Sequence, residues 1–529
     1  MFKQTIVKRL EETRKLLSND FAQTQAYVLK ADTPAEDALY HLSVISYEAN
    51  ALEQAVNSIK SSLCVNPSYP HGWYLLGRIL FRQLNKIVAK EASARATSIA
   101  PLSAEFNASA GLHSLEASDL VSAKRLLEKA IIIDPSRKAS HLDLGVLFNQ
   151  ADFPELALKL YRRESILSPS SPVPFFNSGN AEMSLGNPLT SAKNYDKALE
   201  LGMTITAVYK SAALAHLVVG NFRRGWSLYE SRFYSDEMKN TDTSRFLQSN
   251  RPLLTLSNEQ TVHLSALVWG EQGVGDEVMF GSMLGEFRGM VGKLLVQLDR
   301  RLIPLFRRSL PDDVEFFERG TVVPEDRYDS HIAIGSLGQY LRPTLESFAG
   351  KGGKYLWADP DRVQAMREWL SVREGERVIG LSWRSSNPET GAARSLALSD
   401  LVKSLQAPGV RFVNLQYGDV AAEIEALERD EGIEVLQCPG LDTTDDLDGL
   451  AALIEACDEV VSIGNATAHL ALALGKKTTV LLPKAPSWRW LAEGEVSLWY
   501  REMSLRRNAD MSPWADFLVS SFGVGGRCR

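Results

Sequence analysis

The feature that most constrains this 529-residue chain is a period. Small residues stand at Ser43, Gly77, Gly111, Gly145, Gly179 and Ala213, each 34 positions after the one before. Twelve positions after each lies a second small residue: Ala55, Ala89, Ala123, Ala157, Ser191 and Gly225. Pro67, Pro101, Pro135 and Pro169 follow the first four small residues at a fixed offset of 24. One helical pair per period accounts for all three series. The two small residues let the helices of a pair approach closely, and the proline ends the second helix and resets the chain. Units of this kind bury their apolar faces only against neighbours, so the period predicts a stacked helical solenoid.

A 34-residue period with this punctuation is the tetratricopeptide (TPR) signature. The second repeat supplies Trp73, Leu76 and Gly77 in order, and the fourth supplies Leu144, Gly145, Ala157, Tyr161 and Pro169. The predicted superhelix covers residues 1–237, with about six repeats over 36–237. Residues 1–34 fit the repeat poorly and read as a degenerate helical cap. Such solenoids present a concave groove that binds a peptide or protein, and the sequence leaves that ligand open. The polar, aperiodic stretch within 238–254 reads as a linker.

Beyond it the pattern changes to alternating strands and helices, which predicts parallel α/β units. Residues 255–352 hold one series, from "TVHLSALVW" to "SHIAIGSL". Residues 353–529 hold a second, from "RVIGLSW" to "KTTVLLP", with a last helix at Trp514–Phe522 that could cross back. The glycine-rich "GKGGKYLWADP" lies between the two series. Two doubly wound units joined by a hinge place a cleft at the carboxyl ends of their strands.

Composition narrows the function classes. The net charge of −7 and the absence of lysine/arginine blocks argue against nucleic acid or an anionic membrane surface as partner. Cys64, Cys438, Cys457 and Cys528 form no CxxC pair, which suits a reducing compartment and no zinc ribbon. No apolar run reaches the roughly 18 residues of a membrane span, and the charged amphipathic start does not read as a secretory signal. The expected location is the cytoplasm.

Chemistry concentrates where strands end. In "LVWGEQGVGDEVMF" a strand runs into Gly270, Gly273 and Gly275, and Asp276 follows as either a helix cap or a carboxylate with a chemical role. The glycines match neither GxGxxG nor a Walker A loop. "SIGNATAHLALALG" places Asn465, Thr467 and His469 at a helix start, where free amides favour a phosphate. Those side chains read equally as caps and core. Arg384 and Arg394 follow the strand ending at Trp383 and offer forks for phosphate or carboxylate, and Gln416 ends the next strand. "LPKAPSWRWL" is aromatic and basic, able to stack a base or to brace its loop. "DPD" at Asp359–Asp361 reads as a helix start, and no residue spacing suits a metal.

"EQGVGDEVMF", "GLSW" followed by "RSL", "AHLALALG", "LLPKAPSWRWL" and "GNFRRGWSLYESRF" together resemble bacterial TPR-containing glycosyltransferases with a GT-B catalytic half. That half is similar to the ADP-heptose:lipopolysaccharide heptosyltransferases. The overall plan is similar to O-linked N-acetylglucosamine transferases, and some bacterial relatives glycosylate flagellin. The resemblance covers nearly the whole chain. It implies an all-α TPR solenoid followed by two Rossmann-like domains. It implies a nucleotide-sugar donor, no cofactor or metal, and a protein acceptor recruited by the groove, with flagellin a candidate. Asp276 maps to the catalytic base. Arg384, Arg394, Ser395, Gln416, Asn465, Thr467 and His469 map to the donor side, and Gln272, Gly273 and Gly275 to the acceptor loop. Many relatives carry an acid where this chain has Gly464, which leaves the donor sugar open. Two other readings stand beside this one: a non-catalytic scaffold with a degenerate transferase fold, and a lipopolysaccharide-type transferase.

Overall fold

The computed structural model describes residues 35–234, 249–256, 261–387, 391–510 and 512–522. The expected cap at 1–34, most of the expected linker and Cys528 lie outside the described residues. By internal contacts the chain divides into Met1–Ala181 and Glu182–Arg529.

Helices α1 (Ala35–Glu48) and α2 (Leu52–Val65) form the first pair, α3 (Pro70–Arg82) and α4 (Lys86–Ile99) the second. The third pair is α5 (Ala104–Glu116) and α6 (Leu120–Ile133), and the fourth α7 (Ser140–Gln150) and α8 (Pro154–Leu167). The small residues lie where the helices of a pair touch. Ser43 Oγ donates to the Ala55 carbonyl at 2.8 Å, and a Cβ on Gly111 would lie 2.6 Å from Leu127.

The turn inside each pair has its own signature. Asn50, Leu84, Ser118, Asp152, Gly186 and Gly220 all adopt positive φ, and they too recur every 34 residues. Each occupies the left-handed position after a first helix. The next N–H reaches back to the helix in every case, as in Asn85 to Leu80 O at 3.0 Å and Asp119 to Ser114 O at 2.9 Å. This is the Schellman geometry that satisfies the last carbonyls. Asn85 and Asp119 then cap the second helix through Val88 N and Ser122 N.

Helix α9 (Val173–Ser184) contains the division between the two units. The second unit holds α10 (Pro188–Glu200), α11 (Thr206–Val218), α12 (Phe222–Tyr229) and a 3-10 turn, Glu230–Tyr234, together with two parallel sheets. Aromatic packing explains why these helices belong with the sheets. Trp226 donates from Nε1 to the Arg342 carbonyl at 2.8 Å and meets Trp488 edge-on at 5.5 Å. Ala492 N bonds Val218 O at 2.8 Å.

The first sheet has strands β1 (Ser265–Trp269), β2 (Lys293–Leu298), β3 (Glu315–Glu318) and β4 (Ser330–Ala333), in the order β3-β2-β1-β4. The run from Thr261 starts as a 3-10 turn, so its strand is shorter than the apolar pattern suggested. The helix after the glycine loop is α13 (Val274–Gly281), which breaks before a second short turn, Leu284–Arg288. Helix α14 (Ile303–Ser309) follows β2.

Helix α15 (Pro360–Leu370) opens the second series, capped by Asp359, which accepts from Asp361 N and Arg362 N. The second sheet contains β5 (Arg377–Ser382), β6 (Val410–Asn414), β7 (Val435–Leu436), β8 (Glu459–Ile463), β9 (Thr478–Pro483) and β10 (Met503–Asn508). Their order is β10-β9-β8-β5-β6-β7, with every pairing parallel. Between and after these strands run α16 (Leu398–Leu405), α17 (Ala421–Glu431), α18 (Leu447–Ala456), α19 (Ala466–Ala473) and α20 (Trp514–Phe522). Helix α20 packs through Phe517, Leu518 and Phe522 into the core beneath Leu398, Leu401 and Leu405. The chain order reverses direction at β1 in the first sheet and between β5 and β8 in the second. Those switch points are where an open parallel sheet leaves a crevice. No helix among the described residues is long and apolar enough to cross a membrane.

Candidate functional site

Within the second unit a cavity of about 630 Å³ opens at these carboxyl ends. Its lining joins the loop after β1, the loops after β5 and β8, and the loop after β9. Gly273, Gly275 and Asp276 come from the first, Arg394 from the second, Asn465, Thr467 and His469 from the third, and Arg489 and Trp490 from the fourth. Chain segments more than 200 residues apart in sequence thus share one space.

Asp276 lies in the first turn of α13 but caps nothing. The N-cap is Gly273, which offers no side-chain bond. The Asp276 carboxylate instead receives Arg489: Nε donates to Oδ1 at 2.6 Å, and Nη2 donates to the same oxygen. Arg489 is enclosed. Burial works against its charge, and the facing Asp276 outweighs this, so its pKa moves up. Arg394 also lines the cavity and has no hydrogen-bond or ion-pair partner among the described residues. Burial, and then the charge of Arg489, push its pKa down. Two guanidinium groups and one carboxylate leave this part of the cavity short of negative charge.

The β5/β8 crevice is built by buried amides. Gln416 Oε1 accepts from Trp383 N at 2.9 Å, Arg384 N at 2.7 Å and Ser382 Oγ at 3.1 Å. Its role is to hold the end of β5, beneath the cavity surface. Asn465 caps α19 through Ala468 N at 3.2 Å and bridges back to Ser382 Oγ at 2.8 Å and the Arg384 carbonyl at 3.2 Å. With Asn465 committed to Ala468, the Ala466 and Thr467 amides of the first turn lie at the cavity lining and have no hydrogen-bond acceptor among the described residues. Thr467 Oγ1 bonds the Leu415 carbonyl at 3.3 Å.

His469 is sandwiched. Its ring stacks on Trp490 at 4.7 Å and 16°, and Nδ1 lies 2.9 Å from the Tyr500 hydroxyl. Burial, aided by Arg489, lowers its pKa to about 3, so the imidazole is neutral at physiological pH. Trp490 also explains Gly464. A Cβ there would sit 2.7 Å from Trp490 Nε1 and 3.2 Å from Leu482 Cδ2. The indole fills the space that an acid at this position would need.

The remaining sequence candidates lie around the cavity. Arg384 is exposed and turns away, to Glu423 at 3.2 Å and the Asp419 carbonyl at 3.2 Å. Ser395 Oγ accepts from Ser385 N at 3.1 Å and donates to the Gly391 carbonyl at 2.8 Å, shaping the loop that carries Arg394. Gln272 has φ of 61° and donates from Nε2 to the Tyr229 hydroxyl. Its neighbour Glu271 is buried against Arg232, which donates Nε and Nη2 to the two carboxylate oxygens, both at 2.7 Å. The last helical turn of the solenoid region therefore fixes the loop that precedes Asp276. Gly275 lets α13 approach α19, since its Cβ would lie 3.3 Å from both Ala466 Cα and His469 Cδ2. Arg489 was visible in sequence only as one basic residue in an aromatic stretch, and its partner is 213 residues away. Among the described residues no group of three or more histidine, cysteine, aspartate or glutamate side chains is arranged to hold a metal ion.

No protein-family model matches the chain. It is 37% identical over 301 residues to Protein FlbA of Caulobacter vibrioides, an alignment covering 54% of this chain and 49% of that protein. The chain thus spans about half the length of the curated relative it matches. Among solved structures, the TPR protein YrrB, described as having an unusual peptide-binding site, aligns at TM-score 0.28 and 16% identity over 31% of this chain and 85% of that one. PilW, a type IV pilus biogenesis factor, aligns at TM-score 0.33 and 17% identity over 41% of this chain and 96% of its own. These alignments are too distant to bear on function, which rests on the site itself.

Proposed function

We propose that the chain is a glycosyltransferase that moves a sugar from a nucleotide-sugar to a hydroxyl of a protein acceptor, with a GT-B arrangement of its two sheets. One observation carries the reading. A single cavity at both strand switch points brings a carboxylate, Asp276, to two arginines and an open helix N-terminus. This is the set of groups that transfer from a sugar phosphate requires. The acceptor hydroxyl gives its proton to Asp276 as its oxygen bonds the anomeric carbon. The bond from that carbon to the phosphate oxygen breaks, and the electron pair leaves with the phosphate. Arg394, Arg489 and the Ala466 and Thr467 amides stabilise the leaving charge. His469, kept neutral, adds no charge and walls the site with Trp490.

The repeats supply a protein-binding surface, which favours a protein acceptor over a lipid-linked sugar. Flagellin is the candidate that the sequence resemblance suggests. A non-catalytic scaffold is the second reading, and the engagement of Asp276 by Arg489 is what favours it. A thermal-shift screen against CMP, UDP, GDP and ADP separates the two. The transferase reading expects one nucleotide to raise the melting temperature, and no response to any of them would sink it.

A further inference from the structure

The contact between Asp276 and Arg489 is lopsided. Both guanidinium donors meet Oδ1, and Oδ2 accepts no hydrogen bond among the described residues. A fork-to-fork pair would engage both oxygens. Arg489 is anchored independently of the carboxylate: Nη1 donates to Ser487 Oγ at 2.8 Å, and the guanidinium lies 4.9 Å from the centre of the Trp488 ring. Arg394 brings a second positive charge to the same cavity and has no carboxylate of its own. A phosphate held by Arg394 and the first turn of α19 would meet Arg489 in the same space, whose third arginine, Arg301, is committed to Asp299.

We propose that Asp276 and the donor phosphate compete for Arg489, making Arg489 a shared contact that couples donor binding to release of the Asp276 carboxylate. This rests on the nucleotide-sugar reading and deepens it. Competition for one shared cation makes the two contacts negatively coupled, and the coupling is reciprocal. Its consequence is an order of events. Phosphate occupancy draws the guanidinium off Oδ1, and the carboxylate is then free to face an acceptor hydroxyl. Before that, one oxygen is tied down and a productive proton transfer is disfavoured.

The test is a double-mutant cycle read by titration calorimetry, with inorganic pyrophosphate and the CMP, UDP, GDP and ADP panel as probes. The proteins are the full chain as wild type, Asp276→Asn, Arg489→Gln and the double variant. Asp276→Asn is expected to bind the phosphate probe about tenfold more tightly, the scale of one released charge-assisted hydrogen bond. In the Arg489→Gln background the same change is expected to alter affinity less than about twofold. Should Arg489→Gln not fold, Arg489→Lys replaces it, and the gain from Asp276→Asn should then shrink because the fork is lost. Equal tightening in both backgrounds would mean a general charge effect and would overturn the proposal, as would no tightening at all. If wild type and every variant fail to bind pyrophosphate or any nucleotide, the nucleotide-sugar reading falls, and the proposal with it.

Discussion

Adding one methyl group at residue 464 tests the geometry of the cavity wall. In Gly464→Ala the new Cβ would lie 2.7 Å from Trp490 Nε1 and 3.2 Å from Leu482 Cδ2. The first distance is below any real contact, so a ring must move. Trp490 has little room: it is 1% exposed and stacked on His469 at 4.7 Å. Overpacking of this kind costs about 1–3 kcal/mol. At roughly 2–4 °C per kcal/mol for a large domain, the melting transition should fall by about 2–12 °C. Gly353→Ala serves as control, because nothing lies within 4 Å of a Cβ there. The assay is thermal unfolding followed by near-ultraviolet circular dichroism, which reports the tryptophan environment directly. An unchanged spectrum and melting point in Gly464→Ala would refute the claim that the indole takes the place of a side chain at 464.

Three further outcomes follow from the same structure. Leu84→Gly should stabilise the first unit by about 0.5–1 kcal/mol, since Leu84 holds φ of 62° and is 81% exposed, and chemical denaturation measures the gain. Arg232→Met should destabilise the second unit by about 3–5 kcal/mol by stranding the buried Glu271 carboxylate, read as a lowered denaturant midpoint. Burial raises the Glu277 pKa from 4.5 to about 7, against opposing bonds from Asp299 N and Arg319. The folded protein therefore holds a proton that the unfolded chain has lost. This contribution is fully present below about pH 4.5 and fades as pH rises towards 7, and Glu277→Gln should flatten that part of the stability profile.

The solenoid was legible because its rules are local and repeated. Two small residues mark each helical pair and a proline closes the first four, and the left-handed turn position carries the same period without needing glycine. The parallel sheets were legible from apolar runs, but their limits were not. β7 shrinks to Val435–Leu436, and β10 carries too many polar residues to read as a strand until β9 pairs with it. The site was legible as a set of strand ends. Which residue at each end faces the cavity was not. Arg384 and Arg394 follow the same strand, and only the placement of Glu423 on α17 draws the first outward. The partnership of Asp276 with Arg489, and of Gly464 with Trp490, depends on β9 lying beside β8 and on the closeness of α13 to α19. No local pattern encodes either.

The most direct measurement of the central claim is intact-mass detection of sugar transfer to a protein acceptor, flagellin first, in the presence of a nucleotide-sugar matched to the nucleotide that binds. The account predicts a mass increase equal to one or more sugar residues with wild-type protein. It predicts a rate about 10²–10⁴-fold lower with Asp276→Asn, the range for loss of a general base. Transfer by a folded Asp276→Asn protein at a rate near wild type would contradict it.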